Sequence, residues 1–311
     1  MEFETRKFSH KLTNALIIAV MIILMFVMIY PLLYTAFASL SDAKGLLTHK
    51  GMLWHPIPSY NEDGTVASWI NLGGYKKIFS DTRLMRSFGM TIFYVVAGTA
   101  IGLVMTIMGA FVVSRSYFYC RNVLMKLMLF TMYFSGGLIP AYILVNSLGL
   151  TNTIWAILLP GCISTYNLII MRSFFVSLPP SLEESAMIDG ANDLHVLLHI
   201  VLPLSLPSIA VIGMYYAVGI WNSWYQAMIY LPKAPDLQPL QLLLRSILIL
   251  NQDYQQSSAG MSAAQMLASS AMDKELVKYC IVMVATVPIL IVYPFLQKYF
   301  VKGVMIGAVK G

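Results

Sequence analysis

The chain has 311 residues, of which 58% are hydrophobic and only 11% are charged, and its net charge is +6. A soluble domain carries roughly 25% charged residues, so a chain of about two soluble domains is excluded. Disorder, a coiled coil and a collagen-like fibre are excluded by the same composition. The three cysteines are an odd number at wide spacing, which fits neither a disulfide framework nor a zinc motif.

Long stretches without a charged residue predict an all-α, polytopic membrane protein with six transmembrane helices. A bilayer core is about 30 Å thick and a helix rises about 1.5 Å per residue, so about 20 apolar residues cross it. The uncharged run 127–171 is too long for one crossing, and turn-forming residues at 146–152 divide it. In the second span, Gly98 and Gly102 have the spacing of close helix packing. The predicted spans are 15–40, 87–114, 127–145, 153–171, 200–231 and 279–297.

Basic residues at the ends of the spans predict the orientation of the chain. Ten lysines and arginines fall on one side of a six-span layout, in short loops and at the termini. Such residues mark the cytoplasmic side of a membrane. The prediction is therefore a cytoplasmic N-terminus (1–14), a transmembrane permease domain (15–297) and a cytoplasmic C-terminal tail (298–311). The ten residues are Arg6, Lys7, Lys11, Arg115, Arg121, Lys126, Arg172, Lys298, Lys302 and Lys310.

The segment between the fourth and fifth spans has the pattern of a short helix on the cytoplasmic face. Ser181 followed by Glu184 forms a capping box, which predicts that a helix begins there after two prolines. Gly190 permits a sharp turn, and a second helix leads to Pro203 at the membrane. Small residues beside Glu184 allow a partner to approach closely, and nearby acids can cap helices or meet basic groups on that partner.

This stretch resembles the EAA motif of binding-protein-dependent ABC importer permeases. The family pattern, E-A-A-x3-G-x9-I-x-L-P, is matched over 20 residues from Glu184 to Pro203, with Ser185 in place of the first alanine. One small residue replaces another, so the docking interpretation is kept. The run 297–311 also resembles the tail of the smaller permease subunit of the carbohydrate-importing, maltose-type subfamily. Residues 181–199 are called the EAA-type segment below.

The resemblance implies the type I ABC importer permease fold and import of a sugar, with an oligosaccharide expected, by alternating access in the bacterial cell membrane. It implies four kinds of partner: a second homologous permease, two ATP-binding cassette ATPase subunits, an extracytoplasmic solute-binding protein and the carbohydrate itself. The tail would contact the ATPases through Lys302, Gly303, Gly307 and Lys310. The residues expected to couple the chain to the ATPases are Glu183, Glu184, Ser185, Ala186, Asp189, Gly190, Ala191, Ile200, Leu202 and Pro203.

The chain itself is expected to be a transport subunit and not an enzyme. It has no G-x-x-x-x-G-K-[ST] motif for nucleotide phosphates, so ATP and magnesium are expected on the partner ATPases. No cofactor, metal, catalytic residue or nucleic-acid partner is expected for this chain. His195 and His199 have possible metal spacing, but no third ligand is near them in the sequence, and they are interpreted as packing residues.

Polar and aromatic residues inside the predicted spans are candidates for a substrate path, because polar groups at membrane depth are costly unless they face protein or water. Aromatic rings beside amides suit a sugar, whose ring faces stack while its hydroxyls form hydrogen bonds. For the tryptophans an interfacial aromatic belt is an equal alternative, and for the asparagines helix packing is one. The candidates are Tyr133, Tyr166, Asn167, Trp221, Asn222, Trp224 and Tyr225.

A stand-alone secondary transporter or channel for a neutral solute is the alternative function. It would predict an inverted repeat, broken spans or charges within the membrane, and the sequence has no sign of these. No acid or base lies centrally in a predicted span. This argues against ion coupling and favours a neutral solute.

Overall fold

The structure is a computed structural model that describes residues 2–61, 63–248 and 275–294. Within these ranges the protein is predominantly helical, and its only sheet is an antiparallel pair, β1 (Ser59–Tyr60) with β2 (Val66–Ser68). A π-helical turn covers Leu197–Val201 and a 3₁₀ turn covers Pro235–Leu237. The α-helices are α1 (Glu2–Ser39), α2 (Ala43–Thr48), α3 (Gly73–Ser80), α4 (Thr82–Ser114), α5 (Arg121–Tyr133), α6 (Leu138–Ser147), α7 (Trp155–Leu158), α8 (Thr165–Ser177), α9 (Pro180–Ile188), α10 (Asp193–Val196), α11 (Leu202–Leu204), α12 (Leu206–Trp221), α13 (Tyr225–Tyr230), α14 (Leu240–Leu248) and α15 (Glu275–Pro294).

The described residues fall into two compact units, one made of 2–81 with 275–286 and one made of 82–248 with 287–294. In the first unit the end of α1 is tied to two other helices. The Ser39 hydroxyl lies 2.8 Å from that of Tyr75 in α3, and its carbonyl accepts from the Cys280 thiol of α15 at 3.2 Å. Most of α1 before this point exposes apolar side chains, as expected of a helix that lipid or a partner helix covers.

The described residues contain three to five candidate membrane spans. The Thr13–Ser39 part of α1, α4 and α15 are each long and apolar enough to cross a bilayer. Two further spans result if α5 with α6, bent by 113°, and α10–α11 with α12, bent by 84°, each count as one. The predicted fourth span, 153–171, is divided in the structure between α7 and α8.

Broken helices are the main departure from the sequence-based expectation, which found no sign of them. α5 ends at Tyr133, and Gly137, with a φ of +86°, precedes α6. Pro160 and Gly161 follow α7, and Pro207 lies in the first turn of α12 after the bend. Proline lacks the N–H that a helix interior needs. The amino-acid composition indicates only that these runs are apolar and not whether a helix is interrupted within them. The expectation of unbroken spans is therefore wrong.

The predicted fold-back at 146–152 is confirmed. α6 ends at Ser147, and Gly149 and Asn152 have φ values of +68° and +61°. The Asn152 N–H donates to the Tyr230 carbonyl of α13 at 2.8 Å, and its Oδ1 accepts from the Lys233 N–H at 2.8 Å. The turn is therefore held against α13 as well as being favoured locally.

The second unit is built on close packing between α4 and α12. A Cβ at Gly98 would lie 2.7 Å from Cδ1 of Ile220, and one at Gly102 would lie 2.9 Å from Cε1 of Tyr216. The predicted packing role of this glycine pair is confirmed. A buried core surrounds the contact and is called the main core; its members include Ala110, Phe111, Leu168, Met171, Phe175, Val196, Leu197 and Ile212.

We expect Gly102→Ala to lower the free energy of unfolding by about 1–3 kcal/mol, because the added methyl would overpack a full site. Three ring atoms of Tyr216 lie within 3.1 Å of the new Cβ. The measurement is the thermal unfolding midpoint of the chain purified in detergent. Gly89→Ala is the matched control, since it lies in the same helix with nothing within 4 Å of its Cβ position. Equal midpoints for the two variants would contradict the packing argument.

The EAA-type segment begins differently from the sequence-based expectation. α9 starts at Pro180, its N-cap is Pro179, and no side chain caps it. The predicted capping box between Ser181 and Glu184 is therefore wrong. A proline in the first helical turn has a suitable φ, and its missing N–H would have been unsatisfied in any case, so the helix starts earlier.

Candidate functional site

The end of α9 explains the spacing within the EAA-type segment. Asp189 is the C-cap, and Gly190 follows it with a φ of +81°. The Ala191 N–H donates to the Ala186 carbonyl at 2.9 Å, and the Gly190 N–H donates to the Met187 carbonyl at 3.1 Å. This is a Schellman motif, whose left-handed residue is usually glycine. The spacing A-x3-G is therefore the geometry of a helix end.

The residues of this motif divide between an inner and an outer face. Ala186 and Ala191 are half-buried and pack against the main core. Glu184 and Ser185 are exposed, and the Glu184 side chain forms no hydrogen bond or ion pair with another described residue. The outer face is therefore free of contacts within the described part of the chain.

The rest of the motif lies where the chain turns toward α12. Ile200 is half-buried in the π-helical turn, and Leu202 and Pro203 open α11. Leu202 packs against the main core, whereas Pro203 is exposed. These residues therefore join the segment to the helix bundle.

An arginine directly after α4 holds α9 in place. Arg115 donates to the Glu183 carboxylate in an ion pair whose side chains are only 6% and 18% exposed. Its Nε lies 3.1 Å from the Ser114 hydroxyl, and its Cζ lies 4.2 Å above the Phe111 ring. Glu183, expected from the sequence to face an ATPase, is placed by the structure against the end of α4.

A second tie fixes the other end of the segment. The Tyr117 hydroxyl donates to Oδ1 of Asp193, the first residue of α10, at 2.8 Å. Burial raises the pKa of Tyr117, and its hydrogen bond to Asp193 raises it further. Burial lowers the pKa of Arg115, which Tyr117 and Asp193 act to raise. The Arg115–Glu183 and Tyr117–Asp193 contacts are together called the α4 clamp.

The α4 clamp was not predicted from the sequence. The sequence pattern identifies Arg115 only as one of ten flanking charges, and it does not distinguish Tyr117. The available signal was a pair of acids, Glu183 and Asp193, that bracket the glycine turn. Their partners lie 68 and 76 residues earlier in the chain, and no local pattern links the two stretches.

A cavity of about 740 Å³ lies in the second unit, among α4, α7, α8, α12, α13 and the break before α8. This volume falls within the range of about 300–1,000 Å³ that ligand pockets occupy. No charged side chain is among its described lining residues. We call it the polar cavity, because hydrogen-bonding side chains line it from Ser164, Tyr166, Asn167, Tyr215, Ser223 and Gln226.

Only two of the seven predicted path residues, Tyr166 and Asn167, line the polar cavity. The sequence interpretation missed Tyr215, Gly219 and Ser223, which also line it. Tyr215 and Gly219 lie four residues apart and share one face of α12, and Ser223 lies four residues further on, in the non-helical stretch before α13. That spacing is visible in the sequence and could have identified them.

The other predicted path residues lie elsewhere. Trp221 is 8% exposed and lines a separate apolar groove, and its Nε1 has no partner among the described residues. The Trp224 ring lies 4.7 Å from the Arg245 guanidinium. Asn222 is exposed and its Nδ2 donates to the Val218 carbonyl at 3.0 Å. Tyr133 and Tyr225 are exposed.

Two further predictions from the sequence concern the C-terminal tail and a pair of histidines. The tail residues Lys302, Gly303, Gly307 and Lys310 lie outside the described residues. His195 and His199 stack on each other with ring centroids 4.1 Å apart, and both are exposed. Neither observation adds a further site.

Apolar helices with breaks, an EAA-type segment and a polar cavity define a permease of the binding-protein-dependent ABC importer class. The family model described as "Binding-protein-dependent transport system inner membrane component" matches residues 98–305. The match covers more than half of the chain, and the chain belongs to this family. Its members are transport components, and the stand-alone transporter or channel is therefore not favoured.

Named relatives and solved structures agree with this assignment. The polygalacturonan/rhamnogalacturonan transport system permease protein YtcP of Bacillus subtilis (strain 168) is 43% identical over 79% of this chain and 84% of its own length. A chain from a bacterial ABC transporter involved in import of the acidic polysaccharide alginate has a TM-score of 0.81 and 28% identity, covering 94% of this chain and 98% of that one. A chain from a bacterial alginate ABC transporter in complex with an alginate pentasaccharide-bound periplasmic protein has a TM-score of 0.57, with 92% of each chain covered. At 14% identity it shows the fold alone.

Proposed function

We propose that this chain is one of two permease subunits of an ATP-driven importer that moves an oligosaccharide across the bacterial cell membrane by alternating access. The observation that carries the proposal is a polar cavity in the same compact unit as an EAA-type segment. Tyrosine rings and side-chain amides around the cavity suit a sugar. The names of the relatives, which refer to polygalacturonan/rhamnogalacturonan and to alginate, support a carbohydrate substrate.

The proposed topology has six crossings with both termini in the cytoplasm. α1, α4 and α15 would each cross once, and the bent pairs α5–α6 and α10–α12 would each make one crossing. α7 with α8 would supply the remaining one, across the break at 159–164. Broken helices are compatible with a membrane where the freed backbone lines a cavity, which supports this arrangement.

ATP hydrolysis would take place on two partner ATPases, and the exposed face of α9 would contact one of them through Glu184 and Ser185. A ligand shifts a conformational equilibrium only by its difference in affinity for the two states. A full switch requires about 5.5 kcal/mol of such difference. An extracytoplasmic binding protein would deliver the sugar on the other side.

The side and partner of α9 are tested by Ser185→Cys in a variant whose Cys120, Cys162 and Cys280 are replaced by alanine. We expect the exposed Ser185 position to cross-link to an ATPase subunit in the assembled transporter. We also expect it to resist a membrane-impermeant thiol reagent added outside intact cells. Ser147→Cys, exposed at the end of α6, is the control and should react from outside without cross-linking to the ATPase. Labelling of Ser185→Cys from outside would contradict the proposed orientation.

A further inference from the structure

The polar cavity contains the start of a helix that has no partner for its first donors. α8 has 13 residues, and the hydroxyl of its N-cap Ser164 accepts only from the Asn167 N–H, at 3.4 Å. The N–H groups of Thr165 and Tyr166 have no acceptor among the described residues. Ser164, Tyr166 and Asn167 all line the cavity, so this helix end opens into it.

The helix end is held in place by a buried tyrosine. The Tyr216 hydroxyl accepts from the Ser164 N–H at 2.9 Å and lies 2.7 Å from the Thr106 hydroxyl of α4. Tyr216 is 6% exposed and belongs to the main core. The donors at the start of α8 are therefore preorganised by packing.

A second observation at this place is the side chain of Asn167. The residue is only 5% exposed, and its amide forms no hydrogen bond to any described residue. Buried polar side chains are normally satisfied by protein or by ordered water. An amide that lines the cavity without a partner among the described residues, beside free backbone N–H groups, points to a hydrogen-bonding ligand there.

The charge balance of the cavity favours an anionic ligand. The start of a helix carries partial positive charge, and free N–H groups there bind carboxylates and phosphates. No aspartate or glutamate is among the described lining residues to oppose this potential. The sequence-based preference for a neutral solute rested on the absence of charged side chains, whereas a helix terminus attracts an anion without one.

We propose that the start of α8 together with Asn167 is a carboxylate-binding subsite, and that the substrate is an acidic oligosaccharide containing uronic acid units. This inference rests on the proposed function, from which the carbohydrate class is taken. The sugar carboxylate would accept from the Thr165 and Tyr166 N–H groups and from the Asn167 amide. The rings of Tyr166 and Tyr215, with centroids 6.5 Å apart, would flank the sugar ring.

The test compares Asn167→Asp with wild type in proteoliposomes that hold the complete transporter and its binding protein. The two probes are trigalacturonate and a neutral galactose trimer of the same length. Aspartate has the size of asparagine but places a negative charge at the subsite. We expect uptake of trigalacturonate to fall at least tenfold relative to uptake of the neutral trimer. Each uptake is expressed relative to wild type, so the preference of the binding protein cancels.

Asn146→Asp is the matched control. Asn146 is exposed, and its Oδ1 accepts from the Thr151 hydroxyl, a bond that aspartate retains. It should leave both uptakes within about twofold of wild type. Asn167→Leu removes the amide without adding charge and should reduce trigalacturonate uptake severalfold. If size-exclusion chromatography shows that Asn167→Asp does not assemble, Asn167→Leu replaces it as the test of the subsite.

The outcomes separate this inference from the proposed function. If both trimers are affected equally by Asn167→Asp, or neither is, the carboxylate subsite is wrong and the importer assignment stands. If uptake of trigalacturonate and the neutral trimer by wild type does not depend on ATP, the proposed function itself fails. A selective loss of trigalacturonate uptake in Asn167→Asp supports both the carboxylate subsite and the proposed function.

Discussion

Replacing Arg115 with methionine is expected to release α9 from the end of α4. Methionine keeps much of the apolar contact with Phe111 but leaves the Glu183 carboxylate, 18% exposed, without its cation. Removing one partner of a buried ion pair costs about 3 kcal/mol. The backbone amides of α9 should therefore exchange with solvent roughly a hundredfold faster, which hydrogen-exchange mass spectrometry measures.

Two variants control for this result. Glu184→Gln changes the neighbouring carboxylate, which is exposed, and should leave exchange in α9 unchanged. Arg115→Met combined with Glu183→Met removes both charges and should recover most of the protection, because a buried ion pair is replaced by apolar groups at little cost. Exchange in Arg115→Met that equals wild type would show that the ion pair does not hold α9.

The functional consequence of the α4 clamp follows from the position of α4. The same helix lines the polar cavity at Tyr94 and Gly98. Gly98 lies about 25 Å from Arg115 along the helix at about 1.5 Å per residue. A close-packed interior transmits displacement with little compliance. Arg115→Met should therefore reduce substrate-stimulated ATP hydrolysis in the assembled transporter, even though Arg115 does not line the polar cavity.

Replacing Gly190 with valine is expected to disrupt the end of α9 through backbone strain alone. Gly190 has a φ of +81°, and nothing lies within 4 Å of the position where its Cβ would stand. A side chain meets no obstacle there, but a β-branched residue held in the left-handed region costs about 1–3 kcal/mol. The Schellman bonds should open, and the expected result is loss of substrate-stimulated ATP hydrolysis with normal membrane insertion.

Asparagine is the matched substitution, because it tolerates the left-handed conformation better than other non-glycine residues. Gly190→Asn should retain most of the coupling that Gly190→Val loses. Gly89→Val tests valine at a glycine of α4 that also has open space around it, and it should leave coupling intact. Equal losses in the valine and asparagine variants at Gly190 would point to a contact at this position and against backbone strain.

Arg115→Met and Gly190→Val test different parts of the EAA-type segment, which the sequence presents as one motif. Ala186, Gly190 and Ala191 form the helix end, Glu183 and Asp193 attach it to α4, and Glu184 with Ser185 faces outward. The last pair is the one that we propose contacts a partner chain. Glu183→Gln and Glu184→Gln should therefore differ in their effect on the attachment of α9 to the end of α4, although the two residues are neighbours and chemically identical.

Local patterns were sufficient for some elements and not for others. The fold-back at 146–152 follows from turn-forming residues, and the Gly98–Gly102 contact follows from a spacing of one helical turn. The capping signal at Ser181 predicts a start of α9 that is two residues late, because Pro180 is better suited to the first turn. The breaks in the spans were missed, because apolar composition is the same whether a helix is straight or broken.

The sequence by itself determined that this protein is a helical membrane permease of the binding-protein-dependent importer family, since length, hydropathy and the E-x-A-x3-G spacing are properties of neighbouring residues. Only the tertiary structure decided which side chains act together. The contacts Arg115–Glu183 and Thr106–Tyr216 join residues 68 and 110 positions apart, and the polar cavity is assembled from α4, α7, α8, α12, α13 and the break before α8. Such groupings depend on how helices pack, and packing is a cooperative result of the whole chain that no local pattern encodes.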